Sequence, residues 1–169
     1  MMKWLVRVVV ALALAAAVMA LIGLALPVGH QASRSAEIAA PRDAVFALLR
    51  DVERYPEWRT GISAVAVLEV VDGLPRFRED GESGPIIFRL ERADAPAFMR
   101  TRVDDPDQPF GGTWTFVLVP GDSGTLLTIT EDGEVYNPLF RFLSRFVFSQ
   151  TATLDAYVAD VQRRFSSPR

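Results

Sequence analysis

The chain has 169 residues, half of them hydrophobic and 23% charged, a balance that suits one packed domain and argues against disorder. Setting Lys3 and Arg7 aside leaves 16 basic residues against 21 acidic ones with no basic cluster, so no nucleic-acid partner is expected. Cysteine is absent and His30 is the single histidine, so disulfides, thiolate nucleophiles and histidine-dependent triads or metal sites lack donors in the domain body.

Residues 1–7 carry Lys3 and Arg7, and the stretch from Val8 to Val28 that follows has 21 residues and no charge. As a helix it measures about 32 Å, against about 30 Å for a hydrocarbon core. The positive-inside rule leaves residues 1–7 in the cytoplasm and carries the rest outside it, in a bacterium to the periplasm or cell exterior. One lysine against 17 arginines, with abundant alanine, points to GC-rich bacterial coding. The competing reading is a cleaved signal peptide, whose apolar region runs about 7–15 residues before a small-x-small site. Here the run is longer, Gly23-x-Ala25 has Pro27 close behind it, and a cut after Ala32 would put His30 at an unfavourable position. Residues 8–28 are therefore read as an uncleaved membrane anchor and 29–33 as a short linker, with His30 an interfacial or linker residue.

A first strand is expected over 34–39. Pro41 suits the first turn of a short helix whose apolar face holds Val45, Phe46, Leu48 and Leu49, and Asp51 can cap a second. Strand-like runs follow at 62–71, 74–79, 85–92, 97–103, 113–119 and 125–131, separated by turn signals. A two-residue turn at Asp72-Gly73 sets Val71 opposite Leu74, Glu69 opposite Arg76 and Leu68 opposite Phe77. A four-residue turn at Gly121–Gly124 sets Leu118 opposite Leu127, Phe116 opposite Ile129 and Trp114 opposite Glu131. One face then carries Trp114, Phe116, Leu118, Leu127 and Ile129, and the other carries threonines. A long helix is expected from about Asn137 to Phe165, with a stripe of Leu143, Val147, Thr151, Leu154, Val158 and Val161. Residues 166–169 form a tail.

Several motifs have plain explanations. Gly121-Asp122-Ser123-Gly124 looks like a serine-protease nucleophile motif, but no histidine is at hand and a hairpin turn explains it. The acidic clusters at 79–82 and 104–107 lack calcium-loop spacing and read as solvated turns. No cofactor or phosphate-binding motif occurs, and neither cofactor nor metal is expected. Trp58 is expected in the core, and Trp114 suits pocket and core equally. Phe140, Phe142, Phe146 and Phe148 lie around the circumference of one helix with Arg141 and Arg145. Burial between the sheet and the short helices is the expectation there, with a surface dipping into lipid headgroups as the alternative.

The stretch from Pro41 to Ser63, with Tyr55-Pro56-Glu57-Trp58, together with 112–116 (Gly-Thr-Trp-Thr-Phe), 124–127 (Gly-Thr-Leu-Leu) and 137–141 (Asn-Pro-Leu-Phe-Arg), resembles the START-like / polyketide-cyclase (SRPBCC) superfamily, which includes the birch-pollen allergen. The resemblance covers about Ser33 to Phe165 and implies an α+β helix-grip fold over 34–165. In that fold an antiparallel seven-stranded sheet wraps a long C-terminal helix, here preceded by one transmembrane helix. It further implies a pocket between the sheet and the last helix, to be lined by Phe88, Leu90, Trp114, Phe116, Leu118, Leu127, Ile129, Leu143, Val147, Thr151 and Leu154. The reading preferred is a membrane-anchored extracytoplasmic domain that binds a hydrophobic small molecule or lipid. A cyclase- or dehydratase-like enzyme using Glu131 as acid-base, and a structural or interaction domain with a collapsed cavity, are the alternatives.

Overall fold

The computed structural model describes residues 2–82, 84–146 and 151–166. Its first element is helix α1, Met2–Ala25, built from a run of alanine, leucine and valine without an acid. Pro27 stops it, and the Leu26 N–H donates to the Gly23 carbonyl. α1 is long and apolar enough to cross a membrane.

Strands β1 (Gly29–Ile38), β2 (Ile62–Val71), β3 (Leu74–Gly81), β4 (Gly84–Asp94), β5 (Phe98–Val103), β6 (Phe110–Pro120) and β7 (Thr125–Val135) form one seven-stranded sheet, order β1-β7-β6-β5-β4-β3-β2. Every pairing is antiparallel. β1 starts at Gly29, so residues 29–33, expected as a linker, lie in a strand that runs along β7 from Gly29↔Glu134 onward. The β6–β7 register is the expected one at all three pairs. In the β2–β3 hairpin Glu69 faces Arg76 as expected, but a bulge at Leu68 sets Val67, not Leu68, opposite Phe77. The extra residue swings Leu68 outward, where it is 46% exposed.

The edge strands β1 and β2 are joined across the sheet by helix α2 (Arg42–Arg50) and a short 3-10 helix, Val52–Glu57. α2 turns Val45, Phe46 and Leu49 into the core. Pro41 stands just before the helix in extended backbone, and the Asp51 side chain makes no capping bond, contrary to expectation. The helix expected over 137–165 is described as two: α3, Pro138–Phe146, and α4, Ala152–Ser166. Residues 147–150, with Val147 and Phe148, lie outside the described residues.

α4 is the helix that the sheet grips. Leu154, Tyr157, Val158 and Val161 face inward, and burying an aliphatic side chain of this size contributes about 1.5–3 kcal/mol. Asp160, also buried, accepts from the Thr60 N–H at 2.6 Å and its hydroxyl at 2.8 Å, which pins α4 to the turn after Trp58. The outer face of the sheet is ionic. Asp104, expected as a solvated turn residue, accepts from Arg76 at 2.7 Å and from Arg89 at 3.0 Å.

α3 is not buried between the sheet and the short helices. It packs on α1, and Phe140 and Phe146 are 50% and 61% exposed. Its buried residue is Arg141. The guanidinium donates to four backbone carbonyls: Val135 at 2.9 Å, Gly23 at 3.1 Å, Tyr136 at 3.1 Å and Leu26 at 3.2 Å. Gly23 lies in the last turn of α1 and Leu26 just past its end, where helix carbonyls run short of intrahelical donors. A glycine is needed at position 23, because a Cβ there would stand 1.9 Å from the Pro138 carbonyl oxygen.

Candidate functional site

The pairings give the sheet two ends. β1, β2, β4 and β6 begin, and β3, β5 and β7 finish, at the end where α1 joins β1. The opposite end leads into α2. α2 fills the concave face at its own end with Val45, Phe46 and Leu49, and among the described residues no such plug enters from the α1 end. There a cavity of about 490 Å³ lies between the sheet and α4, within the roughly 300–1,000 Å³ of small-molecule sites. Exposed Glu82 is one of its lining residues, so the space reaches the surface at the α1 end. A depression of similar volume, about 500 Å³, lies outside between α2 and the end of α4, rimmed by Arg54, Glu57 and Arg164. No sheet residue lines it, so it is a surface groove and not an interior site.

Of the expected pocket residues, Phe88, Trp114 and Phe116 line the cavity, and Glu131 with them. Leu90, Leu118, Leu127, Ile129 and Leu154 do not, being fully buried in solid core. Side chains of α2 and α4 fill the half of the apolar face nearest α2, and strand alternation does not mark where that filling ends. Leu143 sits on α3, away from the cavity lining, and Thr151 lies in the turn before α4, where Thr153 lines the space instead. Val147 is outside the described residues.

The polar wall went unforeseen. Arg59 donates to Glu79 at 2.7 Å, with both side chains largely buried. The guanidinium stacks over the rings of Tyr157 at 4.5 Å and Tyr55 at 4.9 Å. Burial raises the Glu79 carboxyl above its ordinary value, with Arg59 opposing. Burial also pushes the Tyr157 phenol up to about 12, so it stays protonated. Two signals were available. Strand alternation puts Glu79 on the same face as buried Phe77, and Tyr157 falls three residues after Leu154 in the helix stripe.

Glu131 is the second acid of the site. It faces the cavity beside Trp114, as the register required, and burial raises its carboxyl, with the Trp114 indole opposing. The expectation that His30 stands apart from the domain is overturned. Ala32 pairs with Glu131 and His30 with Gly133, so His30 and Glu131 are diagonal neighbours on one face. His30 Nε2 lies 3.8 Å from Glu131 Oε1. Burial, followed by the nearby Arg145 charge, lowers the imidazole. At 3.8 Å the two groups are neighbours beyond direct hydrogen-bond reach, and both stand at the cavity end as an imidazole and a carboxyl that burial holds toward their neutral forms.

The family described as polyketide cyclase / dehydrase and lipid transport matches residues 29–166. The chain belongs to this family. The match begins at Gly29, with β1, and so takes the supposed linker into the family domain. No curated protein matches the chain. Among solved structures, a START superfamily protein from Mycobacterium smegmatis is 25% identical with a TM-score of 0.65, over 80% of this chain and 97% of that one. The Zhui aromatase/cyclase from Streptomyces sp. R1128 is 17% identical with a TM-score of 0.64, over 80% and 93%. Norcoclaurine synthase from Thalictrum flavum is 12% identical with a TM-score of 0.62, over 81% and 86%. The family match and the Mycobacterium smegmatis likeness place the chain in the START-like superfamily, and all three structures share the helix-grip fold its sequence resembles.

Proposed function

We propose that the protein is a membrane-anchored, extracytoplasmic domain that holds a hydrophobic small molecule or lipid. The observation that carries the reading is the cavity at the α1 end, walled by Phe77, Phe88, Trp114, Phe116 and Tyr157. Aromatic walls with a few convergent polar groups suit an apolar body with a polar end. Tyr157 lines the cavity, and its buried hydroxyl neighbours that of Tyr55. A ligand oxygen accepting from it would give the bound molecule a polar anchor. Arg59 is already neutralised by Glu79 and carries no free charge for an anionic headgroup. The ligand best suited is therefore neutral at its buried end.

The anchor reading is supported by the seating of α1. Two of the four carbonyls that hold the Arg141 guanidinium, those of Gly23 and Leu26, come from α1 and the turn after it, and Gly23 packs against Pro138, a fitted contact that a cleaved leader would not need. Native mass spectrometry of the full chain, released from lipid nanodiscs, tests the ligand. A bound apolar molecule that is lost in Phe116→Trp supports the reading, and an empty protein under every gentle release condition overturns it. A reporter fused after Arg169 tests the topology and is expected outside the cytoplasm.

A second reading has its own observation. Glu131 meets the cavity with its carboxyl raised by burial and His30 beside it. A shaped pocket with one acid-base pair is enough for a cyclisation or dehydration. Turnover of a poly-β-ketone probe that disappears in Glu131→Gln would select it.

A further inference from the structure

The geometry points to α3 as a lipid-seated helix that holds one corner of the cavity mouth at the surface of the bilayer that α1 spans. The inference deepens the proposed function and rests on its reading of α1 as a membrane anchor.

Four observations converge. First, α3 packs on α1 itself, and the residues of α1 shielded near its end, Ala16, Met19, Ala20 and Gly23, recur at helical spacing on one stripe. A helix fixed against the outer part of a spanning segment lies at the depth of the outer leaflet or its headgroups. Second, the side chains that α3 turns away from the protein are aromatic: Phe140 and Phe146, with Tyr136 just before the helix, are all half exposed or more. In water this is an apolar surface that no described residue covers, whereas at a membrane interface aromatic rings are at home. Third, α3 contains no acid, and its exposed charge is Arg145, which suits anionic headgroups. Fourth, the Arg141 clamp ties the start of α3 to the end of α1, so the helix cannot drift from the membrane.

The mouth of the cavity follows from strand pairing. Phe110 and Gly111 line the cavity, and they face Val135 and Glu134, the last residues before the chain turns into α3. Arg145 reaches the same corner, near enough to His30 to act on it. An apolar molecule leaving the leaflet beside α3 would thus meet the cavity without crossing bulk water. The whole end of the sheet does not meet lipid. Asp105 and Asp107 in the β5–β6 loop, and exposed Asp132 and Glu134 near the end of β7, would be repelled by anionic headgroups, so the contact is a tilted corner made by α3 and the start of β1.

The chain has no cysteine, so single cysteines give unique labels. Phe140→Cys, Phe146→Cys, Leu12→Cys and Asp107→Cys, each carrying an environment-sensitive fluorophore, are reconstituted as full chains in phosphatidylcholine–phosphatidylglycerol vesicles. Acyl chains brominated near the headgroup or near the methyl end quench by depth, and iodide quenches from water. The expected result is loss of most emission at 140 and 146 with the shallow bromolipid and little loss with iodide. Leu12 should respond to the deep bromolipid, and Asp107 to iodide alone. Iodide quenching at 140 and 146, with Leu12 in lipid, overturns the inference and leaves the anchor standing. Iodide quenching at Leu12 as well overturns the anchor first and the inference with it. A lipid-buried label at Asp107 overturns the corner geometry.

Discussion

α3 and α4 come from one stretch that reads as a single helix, yet each is the other turned inside out. α4 buries Leu154, Tyr157, Val158 and Val161 and leaves Arg163 and Arg164 to the surface side. α3 buries an arginine and sends phenylalanines outward. The partners account for the difference. α4 faces the concave side of a sheet, a surface of apolar side chains. α3 faces the end of another helix, where carbonyls without intrahelical partners need donors. A guanidinium supplies several donors at once and is therefore the residue this contact buries.

The sharpest way to break the comparison is to change one apolar residue on each helix. Leu154→Ala is expected to cost about 2–5 kcal/mol as a core cavity. Leu154→Trp should strain the same packed site by about 1–3 kcal/mol, because the side chain lies in solid core and does not face the cavity. The surface-side counterpart on α3, Phe140→Ala, should stay within about 0.5 kcal/mol. Urea melts of the full chain in detergent check all three. Equal losses at 154 and 140 would erase the contrast.

Arg141→Ala should cost about 1–3 kcal/mol through carbonyls left unmet, while Arg145→Ala should be near neutral on stability. Protease cutting at 26–28 should rise only in the first, since that variant alone frees the end of α1. Gly23→Ala probes the same contact from the other side. Its Cβ would meet the Pro138 carbonyl, and a cost of about 1–3 kcal/mol is expected, with the same new cleavage.

The smallest effect lies on the sheet, where Glu131 of β7 and His30 of β1 are neighbours. Glu131 is raised above the ordinary 4.5 by burial. The folded state thus holds its proton where the unfolded state has lost it, and stability falls as pH rises from 4.5 through the folded value. Glu131→Gln should flatten that part of the profile. His30 is lowered from 6.5, so the unfolded state takes the proton first and stability falls as pH drops below 6.5. His30→Gln should flatten that part instead. An unchanged profile in both variants would show the pair to be solvated.

The sheet was legible because hairpin turns count residues. Once Gly121–Gly124 is a four-residue turn, the pairing of Trp114 with Glu131 follows. The bulge at Leu68 was not legible, since a strand with valine, leucine and alanine at neighbouring positions supports either register. The half of the site that was found is the half written in alternation. Phe88, Trp114, Phe116 and Glu131 point inward by periodicity. Which inward residues meet space and which meet α2 depends on where a helix from another part of the chain ends, and no local pattern encodes that. Arg59 escaped for a related reason, because its partners Glu79 and Tyr157 come from distant elements. Residues 29–33 were misread because Gly-His-Gln-Ala-Ser has linker composition, and only pairing with β7 makes it a strand.

Between the end of α1 and the start of β1 stand only residues 26–28. Fully extended, such a tether reaches about 10–11 Å, and the Arg141 clamp takes up most of that slack. With α1 in a bilayer, the domain has no leash on which to swing toward a second membrane or a distant acceptor. Holding the ligand proposed above, such a domain would be a docking post and not a ferry, and a receiver would have to come to the membrane to collect it.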